Sequence, residues 1–246
     1  SFIVPLGING WKLDIGGIER NTKDGFPIQF SGANPPAPGT AYDDSKDFLL
    51  NLFGKSAKLF AVATNGSTIE YRAETDTDFL RCFLDKTGNK WTVYDKSGTA
   101  YYFGQGSGSQ VANPKWSSGY SSTFQWALDQ IDTATGDHTT VGYTTYTSPD
   151  TGLAERTIYP TTITYNGHTS GYTGVNTISF GTEIRSDRRS SYRWGFRTEQ
   201  TRRLTNIVCQ VGTQKVWRYA IGYTISTATK RSLLSSVTVY GSDDST

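Results

Sequence analysis

Methionine is absent from the 246 residues, and only two cysteines and two histidines occur. Cys82 and Cys209 cannot form a disulfide scaffold; they leave either one long-range bridge between two strands or, as the expected state, two separate buried thiols. His138 and His168 lie far apart in the chain, with no Cys or carboxylate pattern at ligand spacing, so no zinc site is expected and both are placed at turn edges. No run approaches the roughly 18 apolar residues of a membrane span. The start, SFIVPLGINGW, lacks both Met and the layout of a signal peptide, so the chain is expected to be an excised piece of something longer. Charge of one sign is scarce too. The 24 basic and 22 acidic side chains leave +2, too balanced for a global attraction to nucleic acid or an anionic membrane.

What is present in quantity is aromatic or small. With 15 Tyr, 12 Phe, 6 Trp and 26 Gly, burial must rely on large amphipathic rings, and the chain favours twisted strands and tight turns over helices. The length suffices for one large all-β domain or two smaller ones with a core that needs no staples.

Residues 5–20, PLGINGWKLDIGGIER, put Trp11, Leu13 and Ile15 on one alternating face and break at Gly16-Gly17, as a strand and a bend would. The Pro- and Gly-rich stretch 31–44 reads as an irregular surface connection. Residues 46–60 place Phe48, Leu49, Leu52 and Phe53 at helical spacing, but Gly54 and Ser56 cut the pattern short. A hairpin around Phe53-Gly54-Lys55-Ser56 is favoured instead. In TVYDKSGTAYYFG, residues 92–104, the rings of Tyr94, Tyr101, Tyr102 and Phe103 flank a polar, Gly-closed turn, the pattern of two antiparallel strands. Strand patterns persist to the C-terminus and are clearest at 217–225, where Trp217, Tyr219, Ile221, Tyr223 and Ile225 share a face expected to be buried. The expectation is an all-β chain of antiparallel hairpins, as an irregular meander, open barrel or shell-like sheet, in one β-rich segment over 1–246.

The ordered set PLGINGWKLDIGGIER, DFLLNLFGKSAKL, EYRAETDTDFLRC, WTVYDKSGTAYYFG, WALDQIDTATGDHTTVGYTTY, ISFGTEIRSD, RRLTNIVCQV and RSLLSSVTVYG resembles the SpvB-type N-terminal region of the B components of bacterial Tc toxin complexes and of related Rhs/YD-repeat proteins. The likeness runs over nearly the whole chain. It implies a noncatalytic β-rich module, a fragment of a larger secreted protein, that helps build a hollow enclosure around a toxic polypeptide. Its implied partners are other segments of its own polypeptide or toxin-complex subunits and the enclosed cargo, with no nucleic acid and no membrane span. The resemblance carries over no catalytic residue, cofactor or metal. It makes YDKSGTAYYFG a degenerate YD-type unit whose rings fill gaps between strands.

Glu70, Glu74, Asp76 and Asp78 form the best catalytic candidate; the last three share a strand face about 7 Å apart, which would permit paired-carboxylate glycoside hydrolysis. The plainer expectation is a solvated face paired with Arg72 and Arg81. Asp132 and Asp137 bracket a loop too poor in ligands for calcium, and Gly106-Ser107-Gly108-Ser109 reads as a flexible loop without the helix and Lys of a phosphate site. Between 185 and 203, Arg185, Arg188, Arg189, Arg193, Arg197, Arg202 and Arg203 interleave with Tyr192, Trp194 and Phe196, a pattern able to bind single-stranded nucleic acid. A long hydrated hairpin loop partly paired with Glu183, Asp187 and Glu199 is expected there instead. The alternative function is a glycan-binding or glycoside-hydrolase β domain.

Overall fold

The computed structural model describes residues 15–23, 25, 27–30, 38–43, 47–75, 79–116 and 119–245. These form two compact units, one of 15–134 with 191–198 and the other of 135–190 with 199–245. Trp11, Leu13, Asp76 and Asp78 lie outside the described residues.

In the first unit, β1 (Gly17–Arg20) opens at Gly17, and the break expected at Gly16-Gly17 falls at Gly16 alone, which has φ 130°. β2 (Ile28–Phe30) pairs with β3 (Pro38–Tyr42), so part of the stretch expected to be irregular is a strand. The hairpin expected near residue 50 is present as β4 (Phe48–Leu52) and β5 (Lys55–Asn65). Its loop is tighter than expected: only Phe53 and Gly54, at φ 48° and 85°, separate the paired Leu52 and Lys55. Positive φ at both positions is what a two-residue hairpin demands.

The chain continues as β6 (Thr68–Ala73), β7 (Arg81–Asp85), β8 (Lys90–Tyr94), β9 (Ala100–Phe103), a short β10 (Gln110–Ala112) and β11 (Thr123–Asp132). The order β1-β4-β5-β6-β7-β8-β9-β11 closes on itself, because Ile18 of β1 lies opposite Leu50 on one side and Trp126 on the other. The result is an eight-stranded antiparallel barrel, with the short β10 paired to the start of β11. Closure removes the exposed edges that an open sheet of this composition would carry.

A barrel of this size is filled by its own side chains. Phe48 meets Tyr71, Trp91 and Trp126 edge-on, at centroid separations of 5.4, 4.9 and 6.0 Å. Leu59, Cys82, Leu84, Val93 and Phe103 complete the interior. Each such side chain contributes about 1.5–3 kcal/mol through burial. Of the four rings in 92–104, Phe103 and Tyr101 point inward, as their register with Trp91 and Val93 requires, while Tyr94 lies outside against Phe83.

Trp126 donates its indole N–H to both oxygens of Asn89 at 3.0 Å. Its ring occupies the space that a Cβ on Gly104 would need, 2.4 Å away, and Gly104 has φ 72°. Gly104→Ala is therefore expected to cost about 2 kcal/mol or more, seen as a lower urea midpoint at unchanged slope.

The second unit is a meander of β12 (Asp137–Thr144), β13 (Tyr159–His168), β14 (Asn176–Ser191), β15 (Thr198–Val211), β16 (Gln214–Ile225) and β17 (Ser232–Tyr240), paired in chain order. Long strands occupy 185–191 and 198–203, leaving only 192–197 as a connection, so the long hydrated loop expected there is corrected to a pair of strands. Among the described residues there is no α-helix, as expected.

Candidate functional site

Among the described residues, four places hold chemistry-bearing side chains. The first is the acidic face. Glu70 accepts from Arg72 at 2.8 Å and from Arg81 at 3.3 Å. The Arg81 hydrogen bond leads in holding its carboxyl below the usual range, against some burial and with help from Arg72. A carboxylate kept ionised by two cations is a poor general acid. Glu74 uses its backbone N–H on the Lys58 carbonyl at 2.8 Å.

The second is the arginine segment, where the expected pairing goes further than the sequence indicated. Arg185 and Asp187, 1% and 3% exposed at their side chains, form a bidentate pair with both hydrogen bonds at 2.9 Å. Asp187 also accepts the Ser232 N–H at 2.9 Å and its hydroxyl at 2.7 Å. Burial alone would raise the Asp187 pKa; Arg185 and Ser232 outweigh it and hold the carboxyl far below its ordinary value. Arg188 forks onto Asp150, Arg203 meets Glu183 at 2.7 Å, and Arg193 reaches the buried Glu19 at 3.2 Å. Trp194 stacks on Phe124 at 4.8 Å and Phe196 is buried, so neither ring is offered to a base. Arg202 lies over the Tyr146 ring at 4.1 Å. Arg185, Arg188, Arg193 and Arg203 are each matched to a carboxylate in this way, while the Tyr192 ring is exposed.

The third is the histidine pair. The β12–β13 register sets His138 opposite Gly167 and Asp137 opposite His168, and both imidazoles line one cavity of about 260 Å³. Sequence spacing gave no sign of this, because the pairing comes from a strand return. His168 is engaged by the Ser170 hydroxyl at 2.8 Å and lies 3.3 Å from the Thr135 carbonyl. Among the described residues no three His, Cys, Asp or Glu side chains cluster as metal ligands. Asp137 binds the Thr135 hydroxyl at 2.7 Å and Asp132 the Gln130 amide at 2.8 Å, which is turn chemistry. Cys82 and Cys209 are both free thiols, the first buried and the second half-buried.

The fourth is the barrel itself, whose two ends differ. At one, Arg20 is 1% exposed and donates to the Thr123 and Tyr120 carbonyls at 2.9 and 3.1 Å. Its guanidinium lies over the rings of Tyr42, Phe48, Tyr120 and Trp126 at 4.8–5.8 Å. The residues read as a flexible loop, Gly106 to Ser109, are tied down nearby: Asp129 accepts the Gln105 and Gly106 N–H groups and the Ser109 hydroxyl. At the other end, by the strand register, lies a cavity of about 530 Å³ floored by Leu50. There Asp95 closes the β8–β9 turn by accepting from Ser97, Thr99 and the Tyr101 hydroxyl. Burial, then the Asp95 bond, pushes the Tyr101 pKa up to about 12.

Comparison with known proteins gives the class first. The family model described as Salmonella virulence plasmid 65kDa B protein, SpvB, matches residues 4–170. The chain belongs to the SpvB family. Its fold is that of the N-terminal domain of the effector protein SpvB from Salmonella typhimurium strain LT2, at TM-score 0.71 and 16% identity over 98% of both chains. It is equally similar to a chain of the TcdB2-TccC3 crystal structure, at TM-score 0.74 and 19% identity, and of the Photorhabdus luminescens Tc holotoxin pore, at 0.74 and 18%. The chain is covered over 98% in both but spans only 14% of those longer polypeptides. No curated protein sequence matches it.

Proposed function

We propose that the chain is a noncatalytic structural module of a secreted bacterial toxin-complex or Rhs-like protein. It forms part of a β shell, packing against other segments of its own polypeptide or toxin-complex subunits and enclosing a toxic polypeptide. The observation that carries this is the outer face of β16 and β17. The rings at 217–225, expected to be buried, are partly open: Trp217 is 49% exposed, and Val237 and Val239 on β17 are 53% and 44% exposed. Their register makes them one surface, with Tyr219 opposite Val239 and Ile221 opposite Val237. β17 ends the strand order, so among the described residues its outer edge carries no partner strand. An apolar edge of this length calls for a cover.

The turn after β17 supports the same reading. Gly241 N–H donates to the Ser245 carbonyl at 3.0 Å, Asp244 N–H to Gly241 at 3.3 Å, and Asp244 has φ 60°. The Asp95–Thr99 turn, which joins two paired strands, has the same pattern, with bonds of 3.1 Å and 3.1 Å and Gly98 at φ 83°. Backbone reversed in this way is set to return along β17. The glycan-binding alternative lacks comparable support, since Trp91 and Trp126 face other strands and Glu70 is ion-paired.

Amide exchange of β17, in this chain and in the longest polypeptide that contains it, tests the proposal. Residues 233–239 are expected to exchange at least about tenfold more slowly in the longer polypeptide. Equal rates would remove the covering segment and with it the shell role.

A further inference from the structure

The cavity of about 260 Å³ in the second unit has a lining that the shell role does not use. It does not suit a metal. The His168 Nδ1 accepts the Ser170 N–H at 3.1 Å, which leaves the proton on Nε2, where it faces the Thr135 carbonyl at 3.3 Å. Neither nitrogen keeps a lone pair for a cation. What the lining offers is hydroxyl. Thr140 and Thr164 are half-buried and lie opposite each other across β12 and β13, while Thr169 and Thr173 are exposed on the loop between β13 and β14. Among the described residues, none of these four side chains has a hydrogen-bond partner in the protein. Tyr172 adds a 56% exposed ring to the same lining, with no ring or cation stacked on it among the described residues.

The loop that carries Tyr172 is held in shape from both sides. Asn166, at φ 63°, lies in a bulge where the pairing shifts from Thr140–Thr164 to His138–Gly167. Beyond it the His168 N–H donates to the Tyr172 carbonyl at 2.8 Å, and the Gly171 N–H to the His168 carbonyl at 3.0 Å. Gly174 packs so closely on β13 that a Cβ there would collide with the Tyr165 carbonyl oxygen. A lining fixed beforehand spares the ordering cost that a ligand would otherwise meet.

We propose that this cavity binds one pyranose ring of a carbohydrate, with the hydroxyls of Thr140, Thr164 and Thr173 on sugar hydroxyls and the Tyr172 ring against the sugar's C–H face. A threonine hydroxyl both donates and accepts, as a sugar hydroxyl does, so the two match in either direction. The site is separate from the Glu70 face and from the apolar face of β16 and β17, and it does not depend on the shell role.

The test follows the amide resonances of residues 168–174 in the whole chain during titration with methyl α-mannopyranoside, methyl β-galactopyranoside and methyl N-acetyl-β-glucosaminide. Saturable shifts with at least one of them are expected, at a dissociation constant on the order of 1 mM. Tyr172→Ala should weaken that sugar by about tenfold or more, and so should Thr140→Val with Thr164→Val. The valines keep the branched shape and remove only hydroxyls that the fold does not use, so the melting temperature should not fall. No saturable shift with any of the three sugars, equal shifts with glycerol, or unchanged affinity in either variant would each overturn the site. A glycoprotein ending in the bound sugar, applied before and after enzymatic deglycosylation, separates the sources. Capture lost on deglycosylation supports a glycan terminus, and sugar binding without capture supports a free sugar. Capture that survives deglycosylation overturns the proposal in favour of a protein surface.

Discussion

Asp187→Ala is expected to lower the free energy of unfolding by about 3–5 kcal/mol, because it strands the Arg185 guanidinium where its side chain is 1% exposed. The Ser232 N–H and hydroxyl lose their acceptor in the same step. Replacing the pair together, as Arg185→Met with Asp187→Leu, should recover most of that loss, since two apolar side chains carry no desolvation cost. The pH dependence follows from the depressed carboxyl. Its folded pKa lies below the unfolded value of about 3.9, so the pair stabilises fully above that value and its contribution is lost as pH falls through the folded pKa. Urea midpoints measured from pH 6 downward should therefore fall below about pH 4 in the wild type, and by less in Asp187→Asn. A loss in Asp187→Ala no greater than that of an exposed ion pair, about 1 kcal/mol, would show that the buried pair does little for stability.

The strands were legible where the chemistry is local. Alternation at 217–225, the Gly-closed turn at 95–99 and the Phe53-Gly54 hairpin rest on period and turn residues, and the structure has all three. Barrel closure was not legible, because it depends on β1 pairing with β4 and also with β11, which lies more than a hundred residues further along the chain, and no periodicity encodes that choice. Burial of the 217–225 face was inferred wrongly for a related reason: alternation marks a face that suits cover and is silent on whether the cover is in the same stretch of chain. The arginine segment resembled a nucleic-acid stripe in composition, yet Asp150 and Glu19, the partners of Arg188 and Arg193, are remote in sequence. Burial of Arg20 has no local signal either, because its acceptors, the Thr123 and Tyr120 carbonyls, lie a hundred or more residues further along the chain.

Arg20 carries the second large effect. Arg20→Ala is expected to cost about 4 kcal/mol: the Thr123 and Tyr120 carbonyls lose their donors at about 1–3 kcal/mol each, the rings of Tyr42, Phe48, Tyr120 and Trp126 lose a cation, and a cavity opens between them. Relief of guanidinium desolvation offsets part of this and keeps the total below the sum. Arg20→Lys should recover little, because an ammonium cannot present the planar fork that reaches two carbonyls while lying flat over aromatic faces. Arg20→Met fills the space without the donors, so its loss measures the hydrogen bonds and cation–π contacts apart from packing. Urea unfolding followed by the fluorescence of Trp126 and its neighbours reads all three variants. If Arg20→Met unfolds at the wild-type midpoint, the guanidinium is only filler. A deficit of about 2 kcal/mol or more makes it the polar pin that joins β1 to the start of β11, holding closed the end of the barrel opposite the mouth.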